Sequence, residues 1–284
     1  MSNLSITIIT PNLNGDQFLE ACIKSIQNQQ YPNLKHVVID GGSTDNSIQI
    51  LKTTGTAYEI VKGLNNYEAI DYGFKKYPSD IQAWLNSDDL YRDGAINTVM
   101  NTFDKFPEIS WLTGTPSTSN DLGVIRIWDA HVFPSISKYT WTLSSNIFIQ
   151  QESTFWRQEL YEKVGGISKD YQYANDYYLW FEFFKTELLY SIPQVLASFR
   201  IHSSAQISVY NMENYMYEVN RIQSKSDIGF LRKRMLQVLM GLDYILIRIP
   251  IIRNAYNNTR FRQKFLGFPI RLRFDDWNRL VKCY

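Results

Sequence analysis

The chain has 284 residues, of which 44% are hydrophobic and 15% aromatic, with 29 Lys and Arg against 28 Asp and Glu. That length buries roughly 70–75% of the unfolded surface, which excludes global disorder and leaves room for one large domain with or without an appendage. The near-neutral total conceals an asymmetry: residues 221–284 carry 14 cationic and 4 acidic side chains, leaving 15 and 24 for residues 1–220.

Met1 to Ser5 show no basic cluster followed by an apolar run, so no secretory leader is expected. Short β-branched runs then alternate with segments of helical period, the pattern of βαβ units and a mostly parallel sheet. Strands are predicted over 5–10, 35–40, 58–61, 81–85 and 109–113, and helices over 17–29, 44–53, 67–77 and 93–106. In such open α/β sheets the ligand lies beyond the carboxyl ends of the strands, where Asn12, Asn14, Asp40, Asp88 and Asp89 fall. From 122 to 150 the pattern loosens, and helices are predicted again over 159–164 and 175–186. No internal repeat or low-complexity linker interrupts the chain before about residue 210. Cys22 and Cys283 are too far apart for a metal motif and match no disulfide framework, which suits a reducing compartment and a cytoplasmic location.

Two runs could carry chemistry. Asp40-Gly-Gly-Ser-Thr-Asp45 follows a strand and opens a helix. It reads either as a glycine turn capped by Ser43 or Thr44, or as a close-approach loop in which Asp40 accepts from a base or ribose. It matches neither GxxxxGK[ST] nor GxGxxG, so ATPase and dinucleotide readings lose their usual support. In Trp84-Leu-Asn-Ser-Asp-Asp-Leu90 an apolar strand runs into two adjacent carboxylates, read either as a solvated turn or as ligands to a divalent cation such as Mg²⁺ or Mn²⁺.

The order of Thr10-Pro-Asn-Leu-Asn14, Asp40-Gly-Gly-Ser-Thr-Asp45, Glu68-Ala-Ile-Asp-Tyr-Gly-Phe74 and Trp84-Leu-Asn-Ser-Asp-Asp-Leu-Tyr91 resembles the donor half of glycosyltransferase family 2, with its GT-A fold. The resemblance continues through Gln151-Glu-Ser-Thr-Phe-Trp-Arg157, Lys163-Val-Gly-Gly-Ile167, Asn175-Asp-Tyr-Tyr-Leu-Trp180 and Phe199-Arg-Ile-His202, and covers roughly residues 5–205. It implies a Rossmann-like nucleotide-sugar-binding domain over 1–210, with a donor half to about 115 and an acceptor half from 116. A basic amphipathic helical region would follow over 211–284.

By the same resemblance, Pro11, Asn12, Asn14, Asp40, Asp71, Asn86 and Asp88 would bind the nucleotide sugar, and Asp89 and His202 would hold Mn²⁺ or Mg²⁺. Asp176 would be the base that deprotonates the acceptor hydroxyl, and Glu152 and Trp156 would face the acceptor. One base without a protein nucleophile implies inversion. Glu68 stands where an Asp is usual and Asp71 where an Asn is usual, so donor identity does not carry over from that segment.

The tail alternates cations with apolar residues from Phe230 to Ile249, and further cations are interleaved with Phe261, Phe265, Phe268 and Ile270. No stretch reaches the ~18–20 apolar residues of a spanning helix. The span 236–252 contains Gln237, Asp243, Arg248 and Pro250. The tail reads as a surface contact for an anionic membrane, suited to a lipid-linked saccharide acceptor, or as a helix packed on the acidic body. No nucleic-acid-binding motif accompanies the cations. Two other functions are compatible with the sheet. A sugar-phosphate nucleotidyltransferase would need a basic pyrophosphate loop, but Thr10–Asp16 has no cation. A sugar-nucleotide-binding membrane scaffold would have no turnover.

Overall fold

The computed structural model describes residues 3–120, 124–127, 149–202, 211–226, 270–274 and 279–283, with single positions between 231 and 249. The first half runs β1 (Ile6–Asn12), α1 (Asp16–Gln27), β2 (Leu34–Asp40), α2 (Ser47–Thr54), β3 (Ala57–Ile60), α3 (Asn66–Lys76), β4 (Ile81–Trp84), β5 (Leu90–Tyr91), α4 (Ala95–Lys105) and β6 (Trp111–Thr113). The second half adds β7 (Ser117–Ser119), β8 (Ile125–Ile127), a 3₁₀ turn (Gln151–Ser153), β9 (Thr154–Arg157), α5 (Gln158–Val164) and α6 (Asn175–Thr186). It continues with β10 (Tyr190–Ser191), β11 (Ala197–Arg200), α7 (Met212–Ser224), β12 (Ile270–Phe274) and β13 (Leu280–Cys283).

The main sheet has the order β13-β12-β10-β6-β9-β4-β1-β2-β3, and a smaller sheet has the order β5-β11-β7-β8. In the main sheet β9 runs antiparallel to β4 and β6, and β13 to β12, while the remaining pairings are parallel. Helices cover both faces, so β1 is buried throughout. Ile6 and Ile8 join a core with Ile96, Val99 and Phe103 of α4, whereas Ile9 joins the core under α3, α6 and α7. Gly73 permits the close approach of α3, since a Cβ there would meet the Ile9 side chain at 2.7 Å. A capping box starts α3: Asn65 Oδ1 accepts from the Glu68 amide at 3.0 Å and Glu68 Oε2 from the Asn65 amide at 2.9 Å. Glu68 thus caps a helix at the position where the family resemblance expected an Asp.

Register places the strand ends. Asn12 lies opposite Asp40 across β1 and β2, and Ile9 opposite Trp84 across β1 and β4, so the loops after all three strands open on one edge. Beneath that edge lies an aromatic layer. The Trp84 and Trp180 rings stack 6.0 Å apart, and Trp156 lies 5.4 Å from Trp84 and 5.6 Å from Trp180.

The C-terminal region differs from expectation. It was predicted helical, and α7 is, but β12 and β13 are strands that extend the main sheet beyond β10. Tyr215, Val219 and Ile222 of α7 are buried in the same core as β1 and α6, so the packing shows no break near residue 210. The cations interleaved with Phe261, Phe265 and Phe268 lie outside the described residues.

Candidate active site

The loops after β1, β2 and β4 and the start of α6 enclose a cavity of about 620 Å³, lined in part by Asn12, Asp88, Glu152, Asp176, His202 and Tyr215. Pro11, Asn14 and Asn86 also face it. Gly15, the residue before α1, also lines it, and a Cβ there would come within 2.9 Å of Ser87 Oγ.

On the nucleotide side the polar groups mostly satisfy one another. Asp40 is fully buried, and its Oδ2 accepts from Asn12 Nδ2 at 2.8 Å and Ser43 Oγ at 2.7 Å. Its Oδ1 accepts from the amides of Gly42 and Ser43 at 2.8 and 2.7 Å. Gly42 has φ 97°, a conformation that favours glycine and lets the loop fold back over the carboxylate. Asp40, expected to bind the donor, therefore shapes the loop and is not among the residues that line the cavity. Asn14 Oδ1 accepts from the Thr44 amide at 2.8 Å, tying the β1 and β2 loops together. Asn12 Oδ1 and Asn86 Oδ1 are buried without a partner among the described residues.

The adjacent carboxylates after β4 diverge. Asp89 is fully buried, with Oδ1 accepting from the Arg200 amide at 2.8 Å and Oδ2 from Asn86 Nδ2 at 3.4 Å. Burial, then the charges of Asp88 and Glu152, push its carboxyl well above the usual range. Asp88 turns toward the cavity, where its Oδ2 lies 3.1 Å from His202 Nε2. Phe18 fixes the histidine, the rings being 4.5 Å apart, and Arg200 Nε donates to the Asp88 carbonyl at 2.7 Å. Asp88, not Asp89, thus partners His202 at the cavity, and Asp89 acts by anchoring the strand that carries the histidine. Of the pair, only Asp88 lines the cavity.

Asp176 occupies the first turn of α6, half-buried and facing the cavity. Its Oδ1 accepts from the Tyr177 amide at 2.7 Å and from the hydroxyls of Tyr67 and Tyr215, both at 3.4 Å. Among the described residues nothing donates to Oδ2. Burial outweighs these hydrogen bonds and raises its pKa to about 6. The approach to α6 is held by Glu218 of α7, which accepts from the amides of Gln172, Tyr173 and Ala174, all at 2.8 Å. Sequence reasoning missed Tyr67, Tyr215 and Glu218. The latter two lie past the expected domain boundary and carry no motif.

Glu152 is 3% exposed, and burial, followed by the charges of Asp88 and Asp176, raises its pKa to about 8. Trp156 corrects the acceptor-facing expectation. Alternation along β9 sends Phe155 to one face of the sheet and Trp156 to the other, and helices cover both, so Trp156 is fully buried. Asp71 is also displaced, a turn further along α3 than the cavity. There it accepts from Tyr161 Oη at 2.9 Å and pairs with Lys75 at 2.6 Å.

The residues suit a divalent cation. Among the described residues that line the cavity there are four acids, Asp16, Asp88, Glu152 and Asp176, and no Lys or Arg. Among the described residues no three His, Cys, Asp or Glu side chains are grouped so that they alone could hold a metal ion. Asp88 and His202 would supply one oxygen and one nitrogen ligand, leaving the other positions to phosphate oxygens and water, as Mg²⁺ and Mn²⁺ commonly bind.

The chain is similar to two uncharacterised glycosyltransferases. One, from Haemophilus influenzae, is 23% identical over 248 residues, covering 76% of this chain and 75% of the relative. The other, from Rickettsia typhi, is 24% identical over 234 residues, covering 80% and 72%. Among solved structures, S. aureus TarS 1–349 in complex with UDP-GlcNAc aligns at a TM-score of 0.60 and 14% identity over 92% of this chain and 76% of that one. The mannosyltransferase PcManGT from Pyrobaculum calidifontis, in complex with GDP-Man and Mn²⁺, aligns at 0.57 and 16% over 89% and 83%. These two share its fold. The pattern of glycosyl transferase family 2 matches residues 7–165, more than half of the chain. With the ordered motifs and the α/β architecture, this makes the chain a member of glycosyl transferase family 2.

Proposed function

We propose that the protein transfers a sugar from a nucleoside diphosphate donor to an acceptor hydroxyl with inversion, in the assembly of a cell-surface polysaccharide or another glycoconjugate. The observation that carries this reading is the placement of Asp176, whose Oδ2 accepts from none of the described residues, on the same cavity as the Asp88–His202 pair. The acceptor oxygen would attack the anomeric carbon, its proton passing to Asp176 Oδ2, while the bond from that carbon to the diphosphate breaks and its electron pair leaves on the phosphate oxygen. A cation held by Asp88 and His202 would neutralise charge on the diphosphate, which the lining side chains do not otherwise offset. Glu152 is kept neutral near pH 7 by its pKa of about 8, which makes it a poor nucleophile and favours a single displacement.

The acceptor is proposed to be a saccharide or lipid-linked saccharide presented at an anionic membrane surface. Support comes from Leu231, Met235, Val238, Leu242, Ile245 and Ile249, spaced four and three apart and each 38–84% exposed. This spacing also suits a coiled coil, but Arg232, Arg234 and Arg248 flank the stripe in sequence and would repel a second copy. They are attracted to anionic lipid by about 1 kcal/mol per cation near the surface. No helix among the described residues is long and apolar enough to cross a membrane.

The test is a thermal-shift and hydrolysis screen of UDP-glucose, UDP-N-acetylglucosamine and GDP-mannose with Mn²⁺ and with chelator. A donor at ~100 times its Kd adds about 2.7 kcal/mol of stability. Stabilisation and slow hydrolysis by a donor only with metal are expected; silence across the panel would count against the transferase reading. Joint Leu231→Glu, Leu242→Glu and Ile245→Glu substitution should release the protein from phosphatidylglycerol vesicles, and undiminished co-sedimentation would sink the membrane contact.

A further inference from the structure

Glu152 carries a polar atom that the reading above leaves unused. The 3₁₀ turn Gln151–Ser153 is pinned from below, where Gln151 Nε2 donates to the Trp84 carbonyl at 2.6 Å. The turn places Glu152 on the cavity, 3% exposed, with its buried Oε1 accepting from none of the described residues. Leaving a buried acceptor unmade costs roughly 1–3 kcal/mol, so an acid retained there implies a donor that arrives with the ligand. Its position narrows the choice. Glu152 lines the cavity together with Asp88, where the diphosphate would lie, and Asp176, the proposed base. The transferred sugar must occupy the interval between those two groups.

We propose that Glu152 reads a hydroxyl of the transferred sugar, its Oε1 accepting that O–H, and that the site is thereby restricted to donors of neutral sugars. This rests on the transferase reading. A uronate carboxylate in the same interval would face the carboxylates of Asp88 and Asp176 with no cationic side chain among the described lining residues. A neutral hydroxyl satisfies Oε1 without adding charge.

The experiment compares wild type, Glu152→Gln and Glu152→Met, as full chains with Mn²⁺, on UDP-glucose, UDP-N-acetylglucosamine, GDP-mannose and UDP-glucuronate. The best neutral donor should exceed UDP-glucuronate at least tenfold in kcat/KM. Glu152→Met removes the acceptor at similar volume and should raise the donor KM about tenfold. Because it also removes an unpaired buried acid, it should melt at or above the wild-type temperature. Glu152→Gln keeps an acceptor oxygen and should recover most of the lost affinity. A Met variant with unchanged donor KM, a Gln variant no better than Met, or preferred use of UDP-glucuronate would each overturn the proposal while leaving the transferase reading intact. Wild type that consumes none of the donors would overturn both.

Discussion

The two ends of the cavity treat their carboxylates differently. At the nucleotide end, Asp40 accepts four hydrogen bonds and Asp89 two, and both are fully buried. At the transfer end, neither Asp176 Oδ2 nor Glu152 Oε1 accepts from any of the described residues. A carboxylate whose lone pairs are taken by backbone amides determines the shape of a loop. One left partly unpaired in a buried site pays in stability and retains its capacity for a substrate. Acidic motif residues therefore separate into those that build the site and those that meet the ligand, a division that hydrogen-bond partners reveal and residue type does not.

Predictions follow from breaking this contrast on each side. The largest effect is expected from Asp176→Asn, which should lower kcat by about 10²–10⁴-fold, the usual contribution of a positioned base, while leaving donor KM nearly unchanged. Turnover close to wild type would remove Asp176 from the base role. Next is the pH profile. With its pKa raised to about 6, Asp176 holds a proton below that value and is a competent base above it, so kcat should fall about tenfold per pH unit below about 6. A profile flat down to pH 4.5 would contradict that assignment.

Smaller effects test the carboxylates that build the site. Glu218→Gln leaves one of three amides facing an NH₂ group and should cost about 2 kcal/mol of stability, together with a loss of kcat through misplacement of Asp176. Denaturant titration showing no change would mean the loop before α6 is held by other contacts. Finally, Asp89→Asn should lower stability by about 2 kcal/mol, whereas Asp88→Asn should leave stability within about 1 kcal/mol and abolish the Mn²⁺ dependence of donor binding. Reversal of these two outcomes, read by melting with and without metal, would restore the metal role to Asp89.

Local patterning was enough for the first half of the fold. Most strands and helices through residue 113 begin and end within two or three residues of where periodicity and turn residues place them, and α6 coincides with its prediction. Burial on both faces of β9 was less legible. Thr154-Phe-Trp-Arg157 reads equally as an exposed aromatic platform or a buried strand, and the choice depends on whether α5 and α6 cover it. The neighbouring Asp88 and Asp89 were equally ambiguous, because identical residues one position apart are distinguished only by the direction in which a turn points them.

What the amino-acid sequence by itself determined is the order of strands and helices and the family, since alternation, period and short motifs are local properties of the chain. The tertiary structure decided which acids are free. Glu218 reaches across 44–46 residues of chain to hold the loop before Asp176, and Arg200 meets Asp89 across 111. Such partners are brought together by sheet order and helix packing, and no pattern within either segment encodes them.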